Sequence, residues 1–245
     1  MNMQINLPDL LKRPLFIVFE GVDGIGKSTQ VELLKKHLEE EGFNVSTTAE
    51  AKGTPLADVI RAEYLSGKRD VNNLTNAFSF SADRYDRFTN TNGGVIQRLK
   101  SGQSVIADRW IHSSMVYSAI QYTDYKEITS CMQLMKDVNM PLADRVMDVA
   151  YLLEFHLSTT EISELVNRIN ERSDKPQEIY ESRDQILKQE SLYNHAIRVW
   201  TQNRIYVKVS VNESAEEVHN KIWDYLTKRI LHIATIDYED NHVIV

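Results

Sequence analysis

Cysteine is almost missing from this chain: Cys131 stands alone among 245 residues, so no disulfide can form within it. The surrounding "SCMQLMKD" has helical apolar spacing, so the thiol reads as a small buried side chain, not a nucleophile. No run of eighteen apolar residues occurs, which leaves no membrane-spanning helix. The opening "MNMQINLPDLLKRP" lacks the apolar centre and cleavage site of a signal peptide and reads as a short arm. A reducing cytoplasmic setting is expected, or the cytoplasm of a host cell for a viral source. Basic residues are in the minority, 28 Lys and Arg against 35 Asp and Glu, for a net charge of −7. That balance speaks against a nucleic-acid-binding protein, which carries a basic face. A small anionic substrate remains open, because a few placed cations suffice for it. Proline occurs five times, and no Pro/Gly-rich linker, repeat or low-complexity stretch divides the chain. A single domain is therefore expected, with a core at about 14–229, an arm at 1–13 and a tail at 230–245.

Glycine is scarce too, nine in all, yet three of them lie between Gly21 and Gly26. Before them stands "LFIVFE" (15–20), an apolar run that suits a strand buried on both faces. After them Val31, Leu34 and Leu38 recur at helical spacing over 28–41. Further strands are read at 43–50, 104–108, 148–155 and 205–211. Helices are read at 56–64, 73–89, 93–101, 112–120, 125–137, 159–170, 184–201 and 214–229. Strands alternating with helices imply parallel strands and crossovers, hence an α/β fold: five parallel strands in a three-layer sandwich. The tail "LHIATIDYEDNHVIV" alternates enough to add an edge strand.

Gly21-Val22-Asp23-Gly24-Ile25-Gly26-Lys27-Ser28 matches G-x-x-x-x-G-K-[ST], with a strand before and a helix after. Glycines let successive backbone N–H groups converge on phosphate oxygens, and the first turn from Ser28 and Thr29 adds unpaired N–H groups and a positive dipole end. Lys27 reaches the β- and γ-phosphates, and the Ser28 hydroxyl ligates Mg²⁺. The motif specifies a nucleoside triphosphate and leaves ATPase, GTPase and small-molecule kinase open, although the guanine motif N-K-x-D is missing. Three clusters narrow the choice. Asp108 and Arg109 end a strand at the edge where parallel sheets bind ligands, suited to a metal and a phosphate respectively. Phe80 and Arg84 lie four apart on one helix face, an aromatic and a cation that can sandwich a base. The charged stretch 165–184, with Arg168, Arg172, Lys175 and Pro176, suits a lid that closes over a transferring phosphoryl group.

Together "GVDGIGKST", "EAKGT", "FSADR", "DRWIHSSMVYS" and "RINERSDKPQEIYE" resemble the thymidylate kinase family of P-loop nucleoside-monophosphate kinases, over most of 14–229. The D-R…S-S…Y spacing is the most specific element. The resemblance implies a five-stranded parallel sheet, usually in a homodimer, with ATP as phosphoryl donor, dTMP as acceptor and Mg²⁺ as cofactor. By the same resemblance Arg109 holds the monophosphate with Arg61 as helical partner, Phe80 stacks on thymine and Arg84 contacts the base edge. Ser113 and Ser114 match the hydroxyls beside the base, and Tyr117 the ring that crowds the sugar 2′ position. Asp23 and Glu50 match acidic groups near the sugar hydroxyl and the metal. No arginine stands at Gly24 or Ile25, as in the bacterial-type subclass, where the lid (about 168–182) supplies the catalytic cation, here Arg168 or Arg172.

Departures cluster at the base. Ala49 and Ala51 replace the Arg and Pro around Glu50, Lys52 a glycine, Trp110 a tyrosine and Ser118 a glutamine; Ile179 stands where an arginine often lies. The transfer machinery is intact, while smaller walls at Ala51 and Ser118 imply tolerance of 5-substituted dUMP. Two rivals fit the same residues: a deoxynucleoside kinase with Glu50 as base toward a 5′-hydroxyl, and a non-catalytic nucleotide-binding module.

Overall fold

The computed structural model describes residues 6–171, 180–200 and 204–240. Strands β1 (Leu15–Glu20), β2 (Val45–Ala49), β3 (Ser104–Asp108), β4 (Tyr151–Ser158) and β5 (Arg204–Lys208) form one parallel sheet in the order β2-β3-β1-β4-β5. The helices are α1 (Lys27–Glu40), α2 (Pro55–Val59), α3 (Asn73–Thr89), α4 (Val95–Lys100), α5 (Ile111–Ala119), α6 (Tyr125–Met147), α7 (Ile162–Asn170), α8 (Arg183–Val199) and α9 (Ala215–Asp240). This is the expected α/β sandwich.

Sequence dictates the strand order. Every residue of β1 is buried, so it must be central, flanked by β3 and β4 and covered on both faces. In β5 only Ile205 and Val207 are buried, while Tyr206 and Lys208 face solvent, as an edge strand requires. Helices α1 and α9 pack together on one face, and α3 to α6 lie on the other. Phe16 of β1 meets Phe88 of α3 and Trp110 edge-on, at centroid distances of 5.6 and 5.0 Å. Each such pair contributes about 0.5–1.5 kcal/mol beyond its buried area. The chain leaves β1 toward β2 and leaves β3 toward β4. These opposite departures open a crevice at the carboxyl ends of β1 and β3, where Phe19 pairs with Asp108.

Several boundaries differ from the sequence reading. Helix α6 does not stop near 137 but runs through Pro141 to Met147, because Leu142, Ala143 and Val146 bury against the core and outweigh the missing N–H. Strand β4 accordingly starts at Tyr151, with Asp148 still hydrogen-bonded into α6. The helix read at 56–64 loosens into a π-helical stretch, Ile60–Leu65. The described part of the tail, 230–240, is not an edge strand: α9 continues to Asp240, since Ile230 is fully buried and Ile233 packs on the core. Its end clasps the arm. Lys12 Nζ donates to the Asp237 carbonyl (2.6 Å), the Tyr151 hydroxyl donates to the Asp237 carboxylate, and Arg13 lies over the Tyr151 ring.

Behind the crevice, His156 on β4 is 1% exposed and neither ring nitrogen has a hydrogen-bond partner among the described residues. Burial lowers its pKa to about 3, with Glu154 opposing and Arg204 and His112 adding to the shift. The neutral ring is therefore compatible with the fold and the imidazolium is not. Its contribution to stability is complete above the ordinary histidine value near 6.5, and it is lost as pH falls toward 3. Urea unfolding at pH 6.5 and pH 5 should show His156→Leu losing about 1.6 kcal/mol less than the unsubstituted protein over that interval. Equal losses in the two proteins would show that His156 does not titrate on unfolding.

Candidate active site

The β1–α1 loop wraps the start of α1. Gly26, at φ +99°, is its N-cap, and no side chain caps the helix. The first-turn N–H groups thus lack intrahelical partners, and a Cβ on Gly26 would meet no atom within 4 Å. Gly21 is required for a different reason: at φ +137° a Cβ there would lie 2.3 Å from the Leu157 carbonyl oxygen. Val22 and Ile25 turn into the core, so Ile25 anchors the loop from beneath and does not line the cleft.

A cavity of about 380 Å³ opens beside this loop. Gly24, Gly26, Lys27, Ser28 and Thr29 line one end together with Asp23 and Asp108. Lys27 Nζ donates to the Val22 carbonyl at 2.7 Å, and burial, reinforced by Arg109, lowers its pKa to about 8 against the pull of Asp23, Asp108 and Glu20. The Ser28 hydroxyl donates to Asp108 Oδ2 at 2.6 Å. A hydroxyl beside a carboxylate is the hard-oxygen donor set that suits Mg²⁺. No group of three or more His, Cys, Asp or Glu suited to a metal occurs among the described residues. A cation here would therefore complete its shell with phosphate and water, as Mg²⁺ does.

Arg109 closes the middle of the cavity. Its Nη1 donates to the Gly21 carbonyl (2.9 Å), Tyr193 hydroxyl (3.0 Å) and Ser113 hydroxyl (3.1 Å), its Nη2 pairs with Asp23, and it lies 5.3 Å from the Tyr117 ring centroid. Burial opposes ionisation of Asp23, yet Arg109 and Lys27 outweigh it and hold the carboxyl below its usual range. The Tyr117 hydroxyl donates to Asp23 Oδ2 at 2.8 Å, and burial followed by Asp23 pushes the phenol well up. Glu20 holds this group in place: its Oε1 accepts from the backbone N–H of Trp110 (2.8 Å) and Ser113 (3.0 Å), and its Oε2 from the Ser113 hydroxyl (2.6 Å).

The far end is lined by Phe80, Asn76, Ala77, Ala51, Ser114 and Tyr180, and Glu50, Lys52 and Arg61 also line the cavity. Arg61 Nε donates to the Ala51 carbonyl (2.5 Å). Three expectations need correction here. Arg84 does not line the cavity: it is fully buried beneath it, pairing with Glu50 and donating to Asn139 (2.7 Å), Ser114 (2.7 Å) and the Trp110 carbonyl (3.2 Å). Four acceptors hold the guanidinium in the wall. Ser118 also faces away. One residue after Tyr117, it lies about 100° around α5, where its hydroxyl bonds the Met115 carbonyl at 3.1 Å against α6. Arg168 is not at the cavity either; it donates to the Val211 carbonyl. Arg172, most of the lid read at 168–182, and Ile179 lie outside the described residues.

A family model for thymidylate kinase matches residues 19–222, most of the chain. The chain belongs to the thymidylate kinase family. It is 31% identical over 218 residues to the probable thymidylate kinase of Methanocaldococcus jannaschii, covering 89% of this chain and 98% of that one. A shorter match, 43% over 105 residues, links it to the thymidylate kinase of Caldicellulosiruptor saccharolyticus. That match covers 43% of this chain and 50% of the relative, so the chain spans about half the length of several of the curated relatives it matches. Among solved structures, the thymidylate kinase of Candida albicans shares the fold with a TM-score of 0.66 at 20% identity, covering 89% of this chain and 92% of that one. The thymidylate kinase of Ehrlichia chaffeensis shares it with a TM-score of 0.61 at 23% identity, covering 87% and 99%.

Within this thymidylate kinase fold, sequence reasoning missed Glu20, Asn76, Tyr180, Gln189 and Tyr193. The one local signal was Glu20, a carboxylate ending an otherwise apolar strand. Because Arg84 reads as part of the wall, its loss should be felt in folding. Burial raises the Glu50 carboxyl and Arg84 offsets this only in part, so an unpaired Glu50 is costly. Arg84→Ala should destabilise by about 3–5 kcal/mol in chemical denaturation. A variant that melts normally and loses only acceptor affinity would return Arg84 to the base edge.

Proposed function

We propose that this chain transfers the γ-phosphoryl group of ATP to dTMP, giving dTDP and ADP. The observation that carries the reading is one cavity lined by the Lys27–Ser28 phosphate loop at one end, by Phe80 and Tyr117 at the other, and by Arg109 between them. The acceptor is already an anionic oxygen, so no strong base is needed, and catalysis is alignment and charge neutralisation. First-turn N–H groups and Lys27 hold the donor phosphates. Arg109, braced by Asp23, holds the acceptor phosphate, and Arg61 lines the same cavity. Phe80 offers a face to the base, and Tyr117, fixed by Asp23, crowds the sugar 2′ position. Ser28 and Asp108 would hold Mg²⁺, which supplies charge neutralisation at the β- and γ-phosphates when bound. One kinase domain, a homodimer and a cytoplasmic location belong to the same proposal. The deoxynucleoside-kinase rival needs a free Glu50, but both its oxygens face Arg84.

The test is ADP release with dTMP, thymidine, dUMP, 5-hydroxymethyl-dUMP and UMP. Turnover of dTMP without turnover of thymidine is expected. UMP should be poor, and the 5-hydroxymethyl compound should lie within about tenfold of dTMP in kcat/KM, because Ala51 leaves room and apolar pockets reject an added hydroxyl weakly. Phosphorylation of thymidine in preference to dTMP would overturn the reading. Lys27→Met should keep its melting temperature and lose at least about 10²-fold in kcat/KM.

A further expectation follows from the Lys27 ammonium, which loses its proton near pH 8 in the free protein. Bound polyphosphate favours the protonated form. Thus kcat/KM for ATP should fall above about pH 8 while kcat stays level to higher pH. Parallel declines in both would assign the titration to another group.

A further inference from the structure

Among the described non-glycine residues, Arg109 alone has a positive φ, +75°. Side chains seldom adopt that conformation, and it persists where surrounding contacts over-determine it. One of those contacts comes from the far side of the sequence. Tyr193, on α8, is fully buried and does not line the cavity. Its hydroxyl lies 3.0 Å from Arg109 Nη1, 2.9 Å from Ser113 Oγ and 3.2 Å from Glu20 Oε2. A phenol has one hydrogen and two lone pairs. Arg109 can only donate, so Tyr193 accepts from it and keeps its own hydrogen for Glu20 or Ser113. Burial, then Glu20, pushes the phenol well above its ordinary pKa, so that hydrogen stays in place.

We propose that Tyr193 is a positioning residue for the acceptor phosphate: its hydroxyl, tied to Glu20, fixes the plane of the Arg109 guanidinium. The inference rests on the reading of the cavity as a nucleoside-monophosphate site. With Nη1 held by Tyr193, Ser113 and the Gly21 carbonyl, the rest of the guanidinium has one orientation toward the cavity. The same helix makes a second tie one turn earlier. Gln189, also fully buried, places Oε1 3.1 Å from the Tyr117 hydroxyl, where it shares that single hydrogen with Asp23, and donates from Nε2 to the Tyr180 carbonyl at 2.7 Å. Helix α8 therefore braces both the phosphate-holding arginine and the ring beside the sugar, without touching the substrate through either Gln189 or Tyr193.

The experiment is a double-mutant cycle of Tyr193→Phe with Arg109→Ala, read as kcat and as KM for dTMP and for ATP. Tyr193→Phe keeps the ring in its buried slot and should raise the dTMP KM about tenfold, since a hydrogen bond to a charged group is lost. The ATP KM should move less than about twofold. On the Arg109→Ala background the second substitution should add nothing, because Tyr193 acts only through that side chain. A packing role alone would instead shift both KM values, or shift them equally on either background, and would overturn the inference. Should Tyr193→Phe lose its cooperative melt, Gln189→Leu takes its place, with dTMP KM raised and ATP KM unmoved; an unchanged dTMP KM there overturns the bracing role of α8. An unsubstituted protein that cannot turn over dTMP removes the functional reading and this inference with it. An active protein whose dTMP KM ignores Tyr193→Phe removes the inference alone.

Discussion

Glu20 ends the central strand with no solvent contact, and a carboxylate can sit there only because four donors converge on its two oxygens: the amides of Trp110 and Ser113 and the hydroxyls of Ser113 and Tyr193. Those donors belong to the β3–α5 turn and to α8, so one side chain fastens three parts of the chain at the edge of the sheet. The amides are orphan groups at the start of α5, whose N-cap residue Trp110 offers no side-chain cap. Glu20 thus acts as a cap supplied from another strand, and the geometry of Arg109 follows from it.

Two different kinds of support surround the cavity. The phosphate end relies on backbone: glycines, a helix start and a buried lysine whose proton is loosely held. The acceptor end relies on side chains locked by other side chains, with Asp23 between Arg109 and Tyr117, and Arg84 between Glu50 and Ser114. Backbone support tolerates change in the residues around it. Networked side chains do not, because each leaves a buried partner unsatisfied when removed.

That contrast explains what could be read from the sequence. The loop Gly21–Ser28 was legible because its chemistry is local and its flanking periods are clear. Strand β1 was legible as buried on both faces because it is apolar up to Glu20. Arg84 was misplaced because residue type and helical face do not distinguish a side chain that lines a cavity from one that supports its wall. For Ser118 the error was one of helical phase: a shift of one residue from Tyr117 turns the side chain into the α5–α6 contact. Tyr193 was invisible because its partners lie 80 to 173 residues away. The helix read to 137 and the alternating tail both ended too early as helices, because burial of Leu142, Val146 and Ile230 carries α6 and α9 further.

The clasp between Lys12, Tyr151 and Asp237 lies at the amino edge of the sheet, since Tyr151 opens β4 and Lys12 shortly precedes β1. The cavity lies at the opposite edge, about 20 Å away along a six-residue strand. Lys12 and Asp237 therefore lie side by side, at the edge remote from the cavity. Joining these two segments by a short linker and opening the chain at an exposed loop elsewhere would preserve the topology of the sheet.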